Sequence, residues 1–117
     1  MTVAEAAERI EGKLVTAAAH AASSTVRGAY VSDLLSDAMA NSREGDLWVT
    51  MQKHINIVAV AQLVGAAGIV LVNGRQPDEA TAAKAEEEHI PIVCTQLQSF
   101  DVAGILHGLG IRGRRPA

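Results

Sequence analysis

The chain has 117 residues, a formal net charge of −3 and a hydrophobic fraction of 49%. This length is typical of one domain and is enough to bury a core without disulfides or a structural metal. The weak negative charge provides no broad positive field, so we expect neither nucleic acid nor an anionic membrane as a partner. We therefore expect one domain over 1–117, with an ordered core at about 3–111 and a basic tail at 112–117 that carries Arg112, Arg114 and Arg115.

The single cysteine, Cys94, lies in the β-rich run 90–94. One cysteine excludes an intramolecular disulfide and a cysteine-based metal cage, and it is typical of a reducing compartment. No basic start followed by an apolar run marks a signal peptide, and no apolar stretch reaches the roughly 18 residues of a membrane helix. We expect a cytoplasmic protein whose Cys94 is buried and unreactive.

The first third of the chain predicts an N-terminal helix and two short strands. Apolar residues within 3–10 share one helical face, and 13–16 and 26–31 are short β-rich runs. The small-residue run between these two strands is either a plain connection or contains a helical turn. Ser32 is a candidate N-cap of the helix that follows, with Asp33 in its first turn.

From residue 47 onward, a strand, a polar loop and a helix recur three times. Such units in sequence imply parallel strands with right-handed crossovers. The first of the three helices is expected to end at Gly65, the second to have Pro77 in its first turn, and the third to be capped by Ser99. The predicted strands are 47–51, 69–72 and 90–94. The fold class is therefore α/β, a parallel-sheet core of three strand-loop-helix units with an N-terminal helix and short strands.

The polar loops that follow these strands are the candidate site. Ligands of open parallel sheets bind beyond the carboxyl ends of the strands, where the next helices begin. The cations and hydrogen-bond donors of these loops suit a small anionic ligand. Ordinary turn formation and solvation are the alternative interpretation of the same residues, and Gly74 fits a plain turn well. The candidate ligand-binding residues are Lys53, His54, Asn73, Gly74, Arg75 and Thr95.

Motifs of known catalytic and cofactor sites do not occur in this sequence. It has no phosphate loop, no dinucleotide-binding glycine motif, no nucleophile elbow and no cysteine pair. Its four histidines lack the spacing of a metal-binding helix. We therefore predict no enzyme activity, no cofactor and no metal. The less favoured alternative, a small hydrolase or transferase, would need an unrecognised site, with Lys53 and His54 as acid and base.

Four segments together resemble a known family. They are GAYVSDLLSDAMAN at 28–41, EGDLWVTMQKHINIVAVAQL at 44–63, LVNGRQPDEATAAKAEEEHIPIV at 71–93 and SFDVAGIL at 99–106. The chain resembles the DRTGG domain family over about 3–111, in particular its short stand-alone members. It is also similar to the N-terminal domain of HPr kinase/phosphorylase, without the kinase domain.

The sequence departs from the motif that gives the family its name. It has Gln52 and Lys53 where Asp-Arg is common, and Val72, Asn73 and Gly74 where Thr-Gly-Gly is common. Any role of the missing Asp, Arg and Thr is therefore not carried over to this chain.

The resemblance implies a non-catalytic regulatory or accessory module, of the kind attached to CBS-type pyrophosphatases and long phosphate acetyltransferases. Short members resemble proteins encoded near iron-only hydrogenase genes. We expect a homodimer that senses a small anionic metabolite or nucleotide, or docks on a partner enzyme. The alternatives are a pure protein–protein interaction module without a ligand, for example a hydrogenase-associated one, and a small phosphohydrolase or transferase. Candidate interface residues are Tyr30, Leu34 and Leu35, with core packing as the alternative.

Overall fold

A computed structural model describes residues 1–113, so Arg112 of the basic tail lies within the described residues and Arg114 and Arg115 lie outside them. Helices and strands alternate along this part of the chain, and the short helix α2 occupies the region where a helical turn was one alternative. The elements are α1 Val3–Arg9, β1 Lys13–Thr16, α2 Ala18–Ala21, β2 Gly28–Val31, α3 Leu35–Asn41, β3 Asp46–Thr50, α4 Asn56–Val64, β4 Gly68–Leu71, α5 Glu79–Glu87, β5 Ile92–Cys94 and α6 Ser99–Gly108.

The five strands form one sheet in the order β1-β5-β4-β3-β2. Strands β2, β3, β4 and β5 run parallel to one another, whereas β1, which pairs with β5, runs antiparallel. The predicted α/β fold class with a parallel core is confirmed. The sheet goes beyond the prediction, because β2 joins the core as a fourth parallel strand.

Helices cover both faces of the sheet. On one face, Leu47 and Val70 pack in a cluster with residues of α1, α2 and α6. On the other face, Trp48 and Ile69 pack in a second cluster with residues of α3, α4 and α5. Since both faces are covered, every residue of β3, β4 and β5 is buried, which explains the continuous apolar runs in the sequence.

Three predicted helix starts are wrong. The helix α5 begins at Glu79, so Pro77 lies before it and not in its first turn. Gln98 is the N-cap of α6, and Ser99 is its first helical residue. The helix α3 begins at Leu35, not directly after Ser32.

The late start of α3 has a local cause. The Ser32 hydroxyl accepts a hydrogen bond from the Leu34 N–H in a short turn (3.2 Å). The Asp33 carboxylate accepts from the Met51 N–H across the neighbouring loop (2.7 Å), so it is not in the first turn of α3. In contrast, the predicted end of α4 at Gly65 is confirmed, because Gly65 takes the left-handed conformation with φ 73°.

No helix within residues 1–113 combines the length and apolar character needed to cross a membrane.

Candidate functional site

The parallel strands bring the predicted loops to one edge of the sheet, beyond the carboxyl ends of β3, β4 and β5. We call this region the carboxyl edge. Direct contacts join the loops: the Asp78 N–H donates to the Lys53 carbonyl (3.1 Å), and the Asn73 side-chain amide lies 3.0 Å from the Met51 sulfur. Five of the six candidate residues belong to the two loops that follow β3 and β4, and Thr95 follows β5.

The loop after β4 forms a tight turn at Asn73 and Gly74. Both residues have positive φ, 59° and 70°, and the Arg75 N–H donates to the Val72 carbonyl (3.1 Å), the pattern of a type I′ turn. The Asn73 N–H donates to the Leu97 carbonyl and the Gly74 N–H to that of Thr95, each at 2.9 Å. The backbone amides of this turn are therefore bonded within the protein.

Gly74 is required by the turn and by its neighbour. Its φ of 70° is unfavourable for residues with a side chain. In addition, a Cβ atom at this position would lie 2.7 Å from the side-chain oxygen of Gln96. The glycine thus closes the turn and lets the loop after β5 approach.

Lys53, His54 and Asp78 form a charged cluster between the loops after β3 and β4. The His54 Nδ1 lies 2.6 Å from one Asp78 oxygen, and the Lys53 Nζ lies 3.6 Å from the other. Hydrogen bonding from His54, with the nearby Lys53 charge adding to it, holds the pKa of Asp78 below its usual value. Both side chains are therefore already engaged by one carboxylate.

Thr95 is placed in the protein interior. It is 3% exposed, and its hydroxyl donates to the Ile10 carbonyl (2.8 Å) and accepts from the Leu97 N–H (3.2 Å). Because these bonds join the end of α1 to the loop after β5, the Thr95 hydroxyl is occupied within the protein and is not available to a ligand.

Arg75 has a different environment. It is exposed at the start of the segment that leads into α5. Within residues 1–113, no hydrogen bond or ion pair engages its guanidinium, whereas Asp78 engages both Lys53 and His54. A guanidinium presents five donors suited to a carboxylate or phosphate, so Arg75 is the candidate cation available to a ligand.

Asp33 is a polar residue of the carboxyl edge that the sequence did not identify as part of the candidate site. Its carboxylate accepts from the Thr50 hydroxyl (2.9 Å) and from the Met51 N–H (2.7 Å). The Gln52 amide donates to the Asp33 carbonyl (2.9 Å). The sequence shows only that Asp33 comes soon after a strand. Its place at the carboxyl edge becomes clear only when β2 is known to belong to the parallel sheet.

The candidate interface residues lie along β2 and the start of α3. The Tyr30 hydroxyl donates to the Asp37 carboxylate at 2.8 and 2.9 Å, and this bond raises the pKa of Tyr30. Leu34 is 68% exposed. Leu35 lines an apolar groove of about 260 Å³ between α3 and α4, where Leu63 is also 68% exposed.

Residues 1–113 contain no group of three or more His, Cys, Asp or Glu side chains arranged to hold a metal ion. The cysteine Cys94 is buried and free, and burial raises the pKa of its thiol.

Comparisons with known proteins place this fold. A search of curated proteins finds no match. One solved structure, the CBS and DRTGG domains of the regulatory region of Clostridium perfringens pyrophosphatase complexed with its activator, diadenosine tetraphosphate, superposes with a TM-score of 0.66 at 11% identity. That match covers 90% of this chain and 45% of the other, so this chain spans less than half of that structure. The family model of the DRTGG domain matches residues 5–109, and the chain therefore belongs to the DRTGG domain family.

Proposed function

We propose that this chain is a non-catalytic regulatory or accessory module that binds a small anion, a nucleotide or another phosphate-bearing metabolite, at the carboxyl edge and works as a homodimer. The observation that carries the proposal is the exposed Arg75 guanidinium, which no described residue engages, beside the paired Lys53 and His54. We place this module in the cytoplasm, since a single free cysteine is typical of a reducing compartment.

Two acidic residues near Arg75 oppose an anion, but one of them is largely offset. Asp78 and Glu79, at the start of α5, would repel a phosphate at close range. The Asp78 charge, however, is offset by the Lys53 ammonium at 3.6 Å, and its other oxygen is hydrogen-bonded to His54, so Glu79 is the opposing charge that remains. The positive charge of Arg75 is therefore the main attraction for an anionic ligand at this edge.

The comparison supports a regulatory role. The similar region of the Clostridium perfringens pyrophosphatase is regulatory and was solved with a dinucleotide activator. For this chain we infer a ligand of the same general chemistry, with phosphate oxygens that Arg75 can engage.

The arrangement of His54 does not favour catalysis. Hydrogen bonding to Asp78 at 2.6 Å orients its ring as in a general-base pair. Among the described residues, however, no hydroxyl or thiol is hydrogen-bonded to His54, and Cys94 is buried. We therefore expect the purified protein to release no phosphate from nucleotides or pyrophosphate, and sustained turnover would contradict a non-catalytic role.

The test of the ligand site is Arg75→Ala, with Arg43→Ala as the matched control. Arg43 is also exposed but precedes β3, at the opposite edge of the sheet. A charge-assisted contact contributes roughly 1.5 to 3 kcal/mol, so Arg75→Ala should weaken nucleotide or pyrophosphate binding at least about tenfold. Calorimetric titration measures this affinity. The control should bind like the wild type, and both unliganded variants should melt like it.

Two results would count against the site. Unchanged affinity in Arg75→Ala would show that the ligand binds at a site that does not include Arg75. A large loss of unliganded stability would make Arg75 a structural residue.

Docking on a partner enzyme, without a ligand, is the second candidate function. The observation that favours it is the apolar groove between α3 and α4, with Met39 44% and Leu63 68% exposed. A thermal-shift screen separates the two functions, since only a ligand that binds the folded state raises the melting temperature in a saturable way.

A further inference from the structure

Strand β2 is at one end of the sheet, and its outer edge has no hydrogen-bonded partner within residues 1–113. The Ser32 N–H donates to the Val49 carbonyl of β3 (3.2 Å). In a parallel pair, every second residue faces the neighbouring strand, so Tyr30 also directs its backbone groups toward β3. Ala29 and Val31 consequently direct two N–H and two C=O groups away from the sheet.

This edge lacks most of the features that keep edge strands from pairing. The segment Gly28–Val31 contains no proline and no charge, and its pairing with β3 is continuous, without a bulge. Val31 is 49% exposed. It also lines an apolar hollow of about 130 Å³ that reaches under α6, with Ala29 beside it.

We propose that β2 pairs antiparallel with β2 of a second copy, with the two-fold axis at Tyr30. This inference rests on the homodimer of the proposed function and assigns its surface. The register follows from the outward groups, because directly opposed residues that both face outward exchange two hydrogen bonds. Placing Ala29 opposite Val31 of the second copy forms two such pairs related by the axis, and hence four backbone hydrogen bonds and one continuous sheet.

The same register is complementary in side chains. It sets Tyr30 opposite Tyr30 of the second copy, and the small apolar Ala29 opposite Val31. The pairing extends no further, because the Asp33 carboxylate is bonded to Thr50 and Met51 of its own chain and the Arg27 side chain lies against Gly45. A second copy therefore supplies what this edge lacks, whereas nothing comparable identifies an occupant of the groove between α3 and α4.

The register can be tested by cross-linking. Residues on the axis form a non-hydrogen-bonded pair with Cα atoms about 4.5 Å apart, within the range of a disulfide. Oxidised Tyr30→Cys should therefore cross-link into a covalent dimer. Val31→Cys is the matched control. In this register the two copies of Val31 are offset by two residues along the strand, so their Cα atoms are roughly 8 Å apart, too far for a disulfide.

A proline substitution tests the backbone pairing. In Val31→Pro the lost N–H is the one that faces outward, so the fold should be kept while the dimer loses one donor per copy. We expect the dissociation constant to rise at least about tenfold, measured by light scattering across a concentration series, with Val31→Thr unchanged. Circular dichroism confirms that each variant is folded.

The outcomes separate the two proposals. A wild-type chain that is monomeric at micromolar concentration overturns the homodimer and this surface together. A wild-type dimer that persists in Val31→Pro and shows no Tyr30→Cys cross-link overturns the β2 pairing alone and moves the interface to another surface.

Discussion

Replacing the buried Thr95 by valine tests whether its hydroxyl holds the carboxyl edge together. Valine keeps the shape of the side chain but removes the donor to the Ile10 carbonyl and the acceptor of the Leu97 N–H. Leaving buried polar groups unpaired costs about 1 to 3 kcal/mol. With about 4 °C of melting temperature per kcal/mol for a domain of this size, the melting temperature should fall by roughly 4 to 12 °C.

Thermal melts followed by circular dichroism measure this change. Thr25→Val is the matched control, because Thr25 is exposed, and its melting temperature should change by less than about 2 °C, as for most surface substitutions. A Thr95→Val variant that melts like the control would refute a structural role for this hydroxyl. Reduced ligand affinity at unchanged stability would return Thr95 to the binding site.

Two further predictions concern ionisation and thiol chemistry. Because the pKa of Asp78 is lowered in the folded state, the stabilisation from its contacts with His54 and Lys53 is present above the unfolded pKa near 3.8 and is lost as the pH falls through the lowered value. The difference in melting temperature between wild type and Asp78→Asn should therefore be at its full size above the unfolded pKa and vanish in strong acid; a difference that stays constant into strong acid would refute the linkage. Cys94 is 6% exposed and burial raises its pKa, so a thiol reagent should label it slowly in the folded protein and fast in denaturant; rapid labelling of the folded protein would contradict its burial.

The sequence predicted the parallel core because its signals there are local and strong. Buried strands such as Ile92–Cys94 are apolar throughout, and α4 ends at a glycine with positive φ. The place of β2 was harder to predict. This strand forms a strand-helix-strand unit with α3 and β3, but a four-residue strand carries too little pattern to show that this unit continues the parallel core.

The helix starts failed for a related reason. Aspartate is typical of helix N-termini, and the sequence predicts Asp33 in the first turn of α3. In the fold, the Asp33 carboxylate instead bonds to Met51 of a neighbouring loop. Asp78 is the N-cap residue of α5, but its carboxylate makes no capping bond and bonds to His54. Long-range partners of this kind are set by the topology and leave no local trace.

The parallel sheet brings the loops that carry the candidate residues to one edge, as the sequence predicts, but the availability of their polar groups was not predictable. Six residues were selected by type and position. Only the fold shows that the amides of Asn73 and Gly74 donate to carbonyls of the next loop, and that Asp78 pairs with Lys53 and His54. Arg75 is the candidate cation that has no partner among the described residues. This could be recognised only once the contacts around it were known.

Calorimetric titration of the wild-type protein with ATP, diadenosine tetraphosphate and pyrophosphate tests the central claim most directly. A regulatory module with a ligand site at the carboxyl edge should give a saturable heat of binding with one of these probes, with a dissociation constant below about 1 mM and one site per chain. The absence of saturable binding by all three at millimolar concentration would contradict the claim that this protein senses a phosphate-bearing ligand.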